Sequence, residues 1–211
     1  MPGGMVTLLR DHAPLRRMLP MRTEHGYRRR ARHYDDPGHA HYLTFSCFHN
    51  QPFLKSQRAC ARLAKTILNA KAKHPFDLWA WVFMPEHVHL LIRPCEDSAV
   101  GDILRAVKEP LSKHVTAWVR FHAADFLPRM TDAQPSGRQT LRFWQPGGGY
   151  DRNIFSAREL REKIDYVHRN PVRRQLVDDP ADWQWSSFAA WAHGVDEPLP
   201  IDRATLPPLT G

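Results

Sequence analysis

The stretch from Phe76 to Arg93 limits the fold of this chain more than any other. "FDLWAWVFM" and "HVHLLIR" are two short runs rich in aromatic and branched residues, with Met84-Pro85-Glu86 as the break between them. Runs this short and this close read as two strands joined by a tight connection, hence an antiparallel pair. Upstream, "HAHYLTFSCF" from His39 alternates so that Leu43, Phe45 and Cys47 share one face of a further strand.

Helical spacing fills the intervals. "SQRACARLAKTILNAKAKH" sets Cys60, Leu63, Ile67 and Leu68 on one stripe and lysine and arginine elsewhere. Asp97 to His122 carries Val100, Ile103, Leu104, Val107, Leu111, Val115 and Trp118 on a long amphipathic helix, interrupted or kinked at Pro110. "PRMTDAQPSGRQT" has the composition of an exposed loop, "LRFWQ" is a short segment, and "PGGGYDR" reads as a flexible turn. "SARELREKIDYVHRN" is expected as a helix opened by Ser156 and closed by Pro171. Strands and helices alternate while neighbouring strands run antiparallel, so the expected class is α+β, a central antiparallel sheet flanked by helices.

A chain of 211 residues suits one such domain. The expected division is a basic N-terminal arm over 1–38, a folded domain over 39–190 and a proline-rich C-terminal tail over 191–211. The arm contains "YRRRARHY", which fits phosphate contacts with Tyr27 or Tyr34 stacking on bases, and equally a solvated tail. "MRTEHGYRRR" also allows translation to start at Met21.

Lysine and arginine number 30 against 22 acidic residues, a formal net charge of +8. That excess favours an acidic partner, nucleic acid first. No apolar run approaches the ~20 residues a membrane span needs, and the N-terminus lacks the apolar core of a secretion signal. Cys47, Cys60 and Cys95 are widely spaced, with no CxxC pair for zinc or redox work. The expectation is a bacterial cytoplasmic protein with reduced cysteines and no membrane role.

Within "MPEHVHLLI", His87 and His89 lie two apart, so on a strand both rings point to one side while Val88, Leu90 and Ile92 face the other. That suits two ligands of one cation, or two half-exposed polar residues. Thirteen histidines over 211 positions give roughly 0.8 His-x-His pairs by chance (13 × 13/211), and His39 with His41 forms a second. His39 sits at a strand entrance in polar company, whereas His87 and His89 lie where the apolar pattern is strongest. In "LREKIDYVHRNP", Leu160, Ile164 and Val167 form a docking stripe, flanked by Tyr166 and Asn170 at i and i+4. A phenol and a carboxamide side by side suit a nucleophile and a metal ligand; the alternative is a rim tyrosine and an ordinary helix-terminal asparagine.

Three blocks in order, "AWVFMPEHVHLLI", "FWQPGGGYDR" and "IDYVHRNPVRRQLVDDPADWQWSS", resemble the REP-associated tyrosine transposases, a branch of the HUH-type single-tyrosine transposases. The resemblance covers roughly 39–187. It implies an HUH-endonuclease fold of ferredoxin-like type, with the histidine pair on a central strand. It implies cutting and rejoining of single-stranded DNA beside hairpin-forming repeats, by a monomer or homodimer. His87 and His89 match the histidine pair, Tyr166 the nucleophile, and Asn170 the polar ligand one turn later, a position often glutamine in related transposases.

On that reading Tyr166 forms a 5′-phosphotyrosine bond, and a divalent cation, Mg2+ or Mn2+, is held by His87, His89 and Asn170. Lys108, Lys113, Arg152, Arg169, Arg173 and Arg174 are candidate phosphate contacts, each also readable as a solvated charge. Trp183 and Trp185 suit base stacking or a clamp over the sheet. Tyr150 is a rival nucleophile, and Glu86 either orients a histidine or is a polar turn residue. Competing functions are a metal-dependent nuclease or phosphohydrolase that activates water, and a non-catalytic DNA-hairpin binder. A histidine-triad hydrolase would need a further alternating histidine where Leu91 stands.

Overall fold

A computed structural model describes residues 38–95 and 97–209. The proposed arm with Tyr27 and Tyr34, and the alternative start at Met21, lie outside the described residues.

Among the described residues β1 (Ala40–Ser46) leads into α1 (Gln57–Lys73), followed by β2 (Phe76–Phe83) and β3 (His87–Pro94). Then come α2 (Val100–His122), a short α3 (Leu127–Met130), β4 (Thr131–Ala133), β5 (Gln139–Leu141), β6 (Tyr150–Ile154), α4 (Ala157–Arg173) and α5 (Phe188–His193). The main sheet has the order β2-β3-β1-β6, every pair antiparallel. Leaving aside the β4–β5 hairpin, this is the split β-α-β-β-α-β arrangement of ferredoxin-like folds. The α+β class with a central antiparallel sheet is as expected.

Alternation divides the side chains between two faces. Leu43, Phe45, Val88, Leu90 and Ile92 pack with Leu63 and Ile67 of α1 and with Ile103, Val107 and Leu111 of α2. Removing each such side chain from water contributes about 1.5–3 kcal/mol. Ala40, Tyr42, Leu91 and Ile154 face the other way, toward Leu160, Ile164 and Val167 of α4. In β2 the pairing steps from Leu78 opposite Ile92 to Ala80 opposite Leu91, so Trp79 is an extra residue and joins Ala80 on the α4 side.

Several expectations are corrected. Leu68 is exposed, and the buried stripe of α1 runs through Ala64 and Ala70 instead. The long helix begins at Val100 rather than Asp97 and passes through Pro110 as one element, while Trp118 at its end is 44% exposed. The segment read as a loop after it forms the β4–β5 hairpin. Gly137 at φ +79 makes the hairpin's turn, and Met130 and Phe143 at its ends are buried in the core.

The "PGGGYDR" segment is not a free turn, because its last three residues open the edge strand β6. Gly149, at φ +88, lies so close to Thr44 of β1 that a Cβ would stand 2.2 Å from the Thr44 carbonyl oxygen. Pro171 does not close α4, which continues to Arg173. The proline costs one N–H donor in the last turn, and the Arg174 N–H still reaches the Asn170 carbonyl at 3.1 Å. His41, the second histidine of the other His-x-His pair, is 1% exposed and its Nδ1 lies 2.8 Å from Asp151.

The C-terminal stretch is built into the domain. The division expected at 190 falls inside α5, and Leu199 and Ile201 are buried in the α1/α2-side core. Asp202 accepts from the Leu78 N–H at 2.7 Å and pairs with Lys71.

Candidate active site

His87 and His89 stand on β3, the second strand in from one edge, and face α4. The register sets His89 opposite Thr44 on β1 and Val82 on β2. Tyr42 and Thr44, two apart on β1, share its side of the sheet. The Tyr42 hydroxyl lies 2.7 Å and the Thr44 Oγ1 2.8 Å from His89 Nδ1. From α4, Asn170 brings its Nδ2 to 3.1 Å from His89 Nε2. On the adjoining turn Glu86 accepts from His87 Nδ1 at 3.1 Å and pairs with Arg174 at 2.7 Å. The Glu86 contact ties the turn before β3 to the end of α4.

These partners fix the orientation of both rings. Glu86 accepts from His87 Nδ1–H, and the two hydroxyls engage His89 Nδ1. The two Nε2 atoms face each other at 3.0 Å, close enough to share a proton or a cation. Burial pushes His89 down to about 3, helped by His87 and Lys163. Burial also lowers His87, although Glu86 opposes it. Neutral imidazoles at ordinary pH are ligands rather than charges. Burial raises Tyr42, keeping it a phenol.

A third donor is at hand. Asn170 is 5% exposed, and its Oδ1 is buried with no hydrogen-bond partner among the described residues. The two ends of a carboxamide are interchangeable by rotation, which would turn this oxygen toward the histidines. Two imidazole nitrogens and one amide oxygen are a donor set that suits a divalent cation. No cluster of three or more His, Cys, Asp or Glu gathers among the described residues.

Tyr166 stands next to this group. Its ring meets those of His89 and Tyr42 edge-on, with centroids 5.7 and 6.1 Å away. The Arg173 guanidinium lies 4.9 Å and the Lys163 ammonium 5.7 Å from its centroid. Spacings of three, four and three along α4 put Lys163, Tyr166, Asn170 and Arg173 on one stripe. Both cations are attracted to the electron-rich face of this ring.

The other residues singled out in the sequence are spread more widely. Arg152 pairs with Glu159 at 2.7 Å and Arg169 with Asp165 at 2.9 Å. Lys108 and Lys113 belong to α2, across the sheet from the histidines. Lys108 donates to the Gly147 carbonyl at 2.7 Å, and Lys113 pairs with Glu109. Trp183 donates its indole N–H to the Phe83 carbonyl at 3.0 Å, and Trp185 donates to Gln57 while stacking on Phe83. Both indoles meet the end of β2 at Phe83. Tyr150 is 53% exposed at the start of β6, with its ring 6.2 Å from that of Tyr42.

Tyr42, Thr44 and Lys163 escaped the sequence reading. Lys163 was legible as the residue three before Tyr166. The two hydroxyls were not, because their contact with His89 depends on the β1–β3 register.

No family model matches the sequence. Over 127 residues the chain is 26% identical to the REP-associated tyrosine transposase of Escherichia coli (strain K12), covering 60% of this chain and 62% of that protein. Over 116 residues it is 27% identical to a Haemophilus influenzae protein that carries the same name provisionally, covering 54% and 60%. The matches thus span about 60% of the length of these curated relatives. A solved structure described as a REP-associated tyrosine transposase bound to a REP hairpin shares the fold. Its TM-score is 0.59 at 24% identity, covering 80% of this chain and 86% of that one. No helix among the described residues is long and apolar enough to cross a membrane. In sequence over more than half its length and in fold over four-fifths of it, the chain is similar to the REP-associated tyrosine transposases.

Proposed function

We propose that the protein is a transposase that cuts and rejoins single-stranded DNA beside hairpin-forming repeats, with Tyr166 as nucleophile. The observation that carries this reading is the meeting of His87, His89 and Asn170 at one point beside Tyr166, on elements distant in sequence. The relatives' shared name and the hairpin in the structural neighbour support the choice of DNA partner.

In the proposed step the Tyr166 oxygen attacks phosphorus in line with the 3′-oxygen. The phosphorus–oxygen bond to that 3′-oxygen breaks, leaving a 5′-phosphotyrosine and a 3′-hydroxyl that takes up the proton lost by the phenol. No water enters, so the 3′-hydroxyl of another strand can reverse the step and complete transfer. Lys163 and Arg173, beside the Tyr166 ring, would neutralise the phosphoryl oxygens and the phenolate. Glu86 holds the His87 ring, and Tyr42 and Thr44 hold the His89 ring, so that both Nε2 atoms converge. A magnesium or manganese ion on His87, His89 and Asn170 would polarise the scissile phosphate.

The test is incubation with end-labelled single-stranded DNA carrying a flanking hairpin, with manganese, followed by a denaturing protein gel. A labelled adduct that disappears in Tyr166→Phe is expected. Cleavage that survives this substitution sinks the tyrosine mechanism and leaves a water-activating nuclease. Hairpin binding without any cleavage by the wild-type chain leaves a binding protein.

A further inference from the structure

On the sheet face away from the histidines, α1 and α2 enclose a cleft of about 530 Å³. Its walls include Phe53, Trp118, Phe126 and Phe143, and its rim carries Arg58, Arg62 and His114. The volume is that of a ligand site. Hydrocarbon alone would fill such a cleft, but the rim is more selective. Residues 48–74 contain no aspartate or glutamate. Arg58, Arg62 and Lys65, spaced four and three along α1, are exposed, and no carboxylate among the described residues pairs with them. Arg62 rests on the His114 ring instead, 3.0 Å from Nε2.

A cationic edge that no carboxylate among the described residues offsets, beside an aromatic wall, asks for an anion with a flat apolar body. Trp118 is 44% exposed and already stacks on His122, centroids 5.1 Å apart and planes at 10°. A base laid on its open face would extend that stack. The cleft is also wired to the candidate active site. Leu54, next to Phe53, donates its N–H to the carbonyl of Pro85 at 2.9 Å, two residues before His87. A strand engaged at the histidines would leave that end of the sheet close to the cleft.

We infer that the α1/α2 cleft binds unstacked nucleotides of single-stranded DNA, with bases against Phe53 and Trp118 and phosphates on Arg58 and Arg62. This rests on the proposed function for the DNA itself, and it adds a second surface, across the sheet, that holds the flank of the hairpin.

Equilibrium binding tests it in a full-length Tyr166→Phe background, where cleavage chemistry plays no part. Two labelled DNAs are titrated by fluorescence anisotropy: a hairpin alone, and the same hairpin with a flank of about ten unpaired nucleotides. The quantity read is the ratio of the two affinities. The double variant Arg58→Ala/Arg62→Ala is expected to lower that ratio at least tenfold. For the flanked DNA it should also reduce the slope of log affinity against log salt by about 1.4, two phosphate contacts on a single strand. Trp118→Ala is expected to lower the ratio about fivefold or more. Binding of both DNAs with an unchanged ratio in all variants overturns this inference alone. Binding of neither DNA by the parent protein overturns the proposed function with it.

Discussion

The two faces of one sheet, drawn from the same strands, are built for opposite purposes. Toward α1 and α2, Leu43, Phe45, Val88, Leu90 and Ile92 present hydrocarbon, nearly all of it fully buried. Toward α4, the alternating partners Tyr42, Thr44, His87 and His89 present hydroxyls and imidazoles in a connected set. The first face stabilises the fold because apolar burial is favourable without any directional requirement. The second is costly to bury unless every polar atom has a partner. It brings two imidazole nitrogens within 3.0 Å of each other beside an unpartnered amide oxygen. A sheet with one apolar face to hold it together can carry such an arrangement on the other.

Substitutions on the two faces should therefore fail differently. The largest effect is expected for His89→Ala, which should lower single-turnover cleavage by a hundredfold or more, on the order of removing a group that stabilises transition-state charge. Its urea midpoint should change little, because the deletion removes the burial cost of a polar imidazole along with its hydrogen bonds. A variant that cleaves normally, or that simply unfolds, would erase the distinction between the faces. Leu90→Ala, one residue along and pointing the other way, should cost about 2–5 kcal/mol in urea unfolding. DNA cleavage by the fraction that remains folded should persist. A stability loss under about 1 kcal/mol would show that the α1/α2 face is not the close-packed one.

Glu86→Gln sharpens the comparison within the polar face. The amide can still touch His87, but it no longer offers a carboxylate to the Nδ1–H or to Arg174. Cleavage should fall about 10- to 100-fold with affinity for the hairpin nearly kept, the pattern of a positioning residue. Equal loss in affinity and rate would place Glu86 in DNA binding instead.

His168 supplies the smallest and most general contrast. It lies on α4, two residues from Asn170, with Nε2 2.9 Å from the Ser187 hydroxyl, and burial pushes it down to about 4. Below pH ~6.5 the unfolded chain takes up a proton there that the folded chain refuses. Stability is thus full above that pH and declines as pH falls toward 4, by about 1.4 kcal/mol per pH unit for this imidazole. Urea midpoints at pH 7 and pH 5 should differ accordingly, and less so in His168→Gln. An identical pH dependence in the variant would remove His168 from the explanation.

Much of this division was legible in the sequence, because period-two alternation around "HVHLLI" fixes which side chains share a face once a strand is granted. The fold class followed from two short apolar runs and the helical stripes between them. The β4–β5 hairpin, the edge strand β6 and the buried role of Leu199 and Ile201 were not legible. The hairpin is local but lies in a stretch of polar turn-forming composition, whereas β6 and the two C-terminal residues depend on pairing and packing with residues far away. Within the candidate site the same limit applies. His87, His89, Tyr166 and Asn170 stand out in local motifs. Tyr42 and Thr44 become partners of His89 only through the register of β1 on β3. Arg174 became a partner of Glu86 through the docking of α4.

The central claim is that the polar face works through a covalent bond to Tyr166, and peptide mapping of the DNA adduct addresses it most directly. After reaction with a hairpin-bearing single strand, nuclease trimming and trypsin digestion, Tyr166 lies in the peptide 164–169 and Tyr150 in the peptide 143–152. The prediction is a phosphonucleotide mass on the first peptide, located at Tyr166. The same mass on the second peptide, or a cleaved strand with a free 5′-phosphate and no modified peptide, would contradict it.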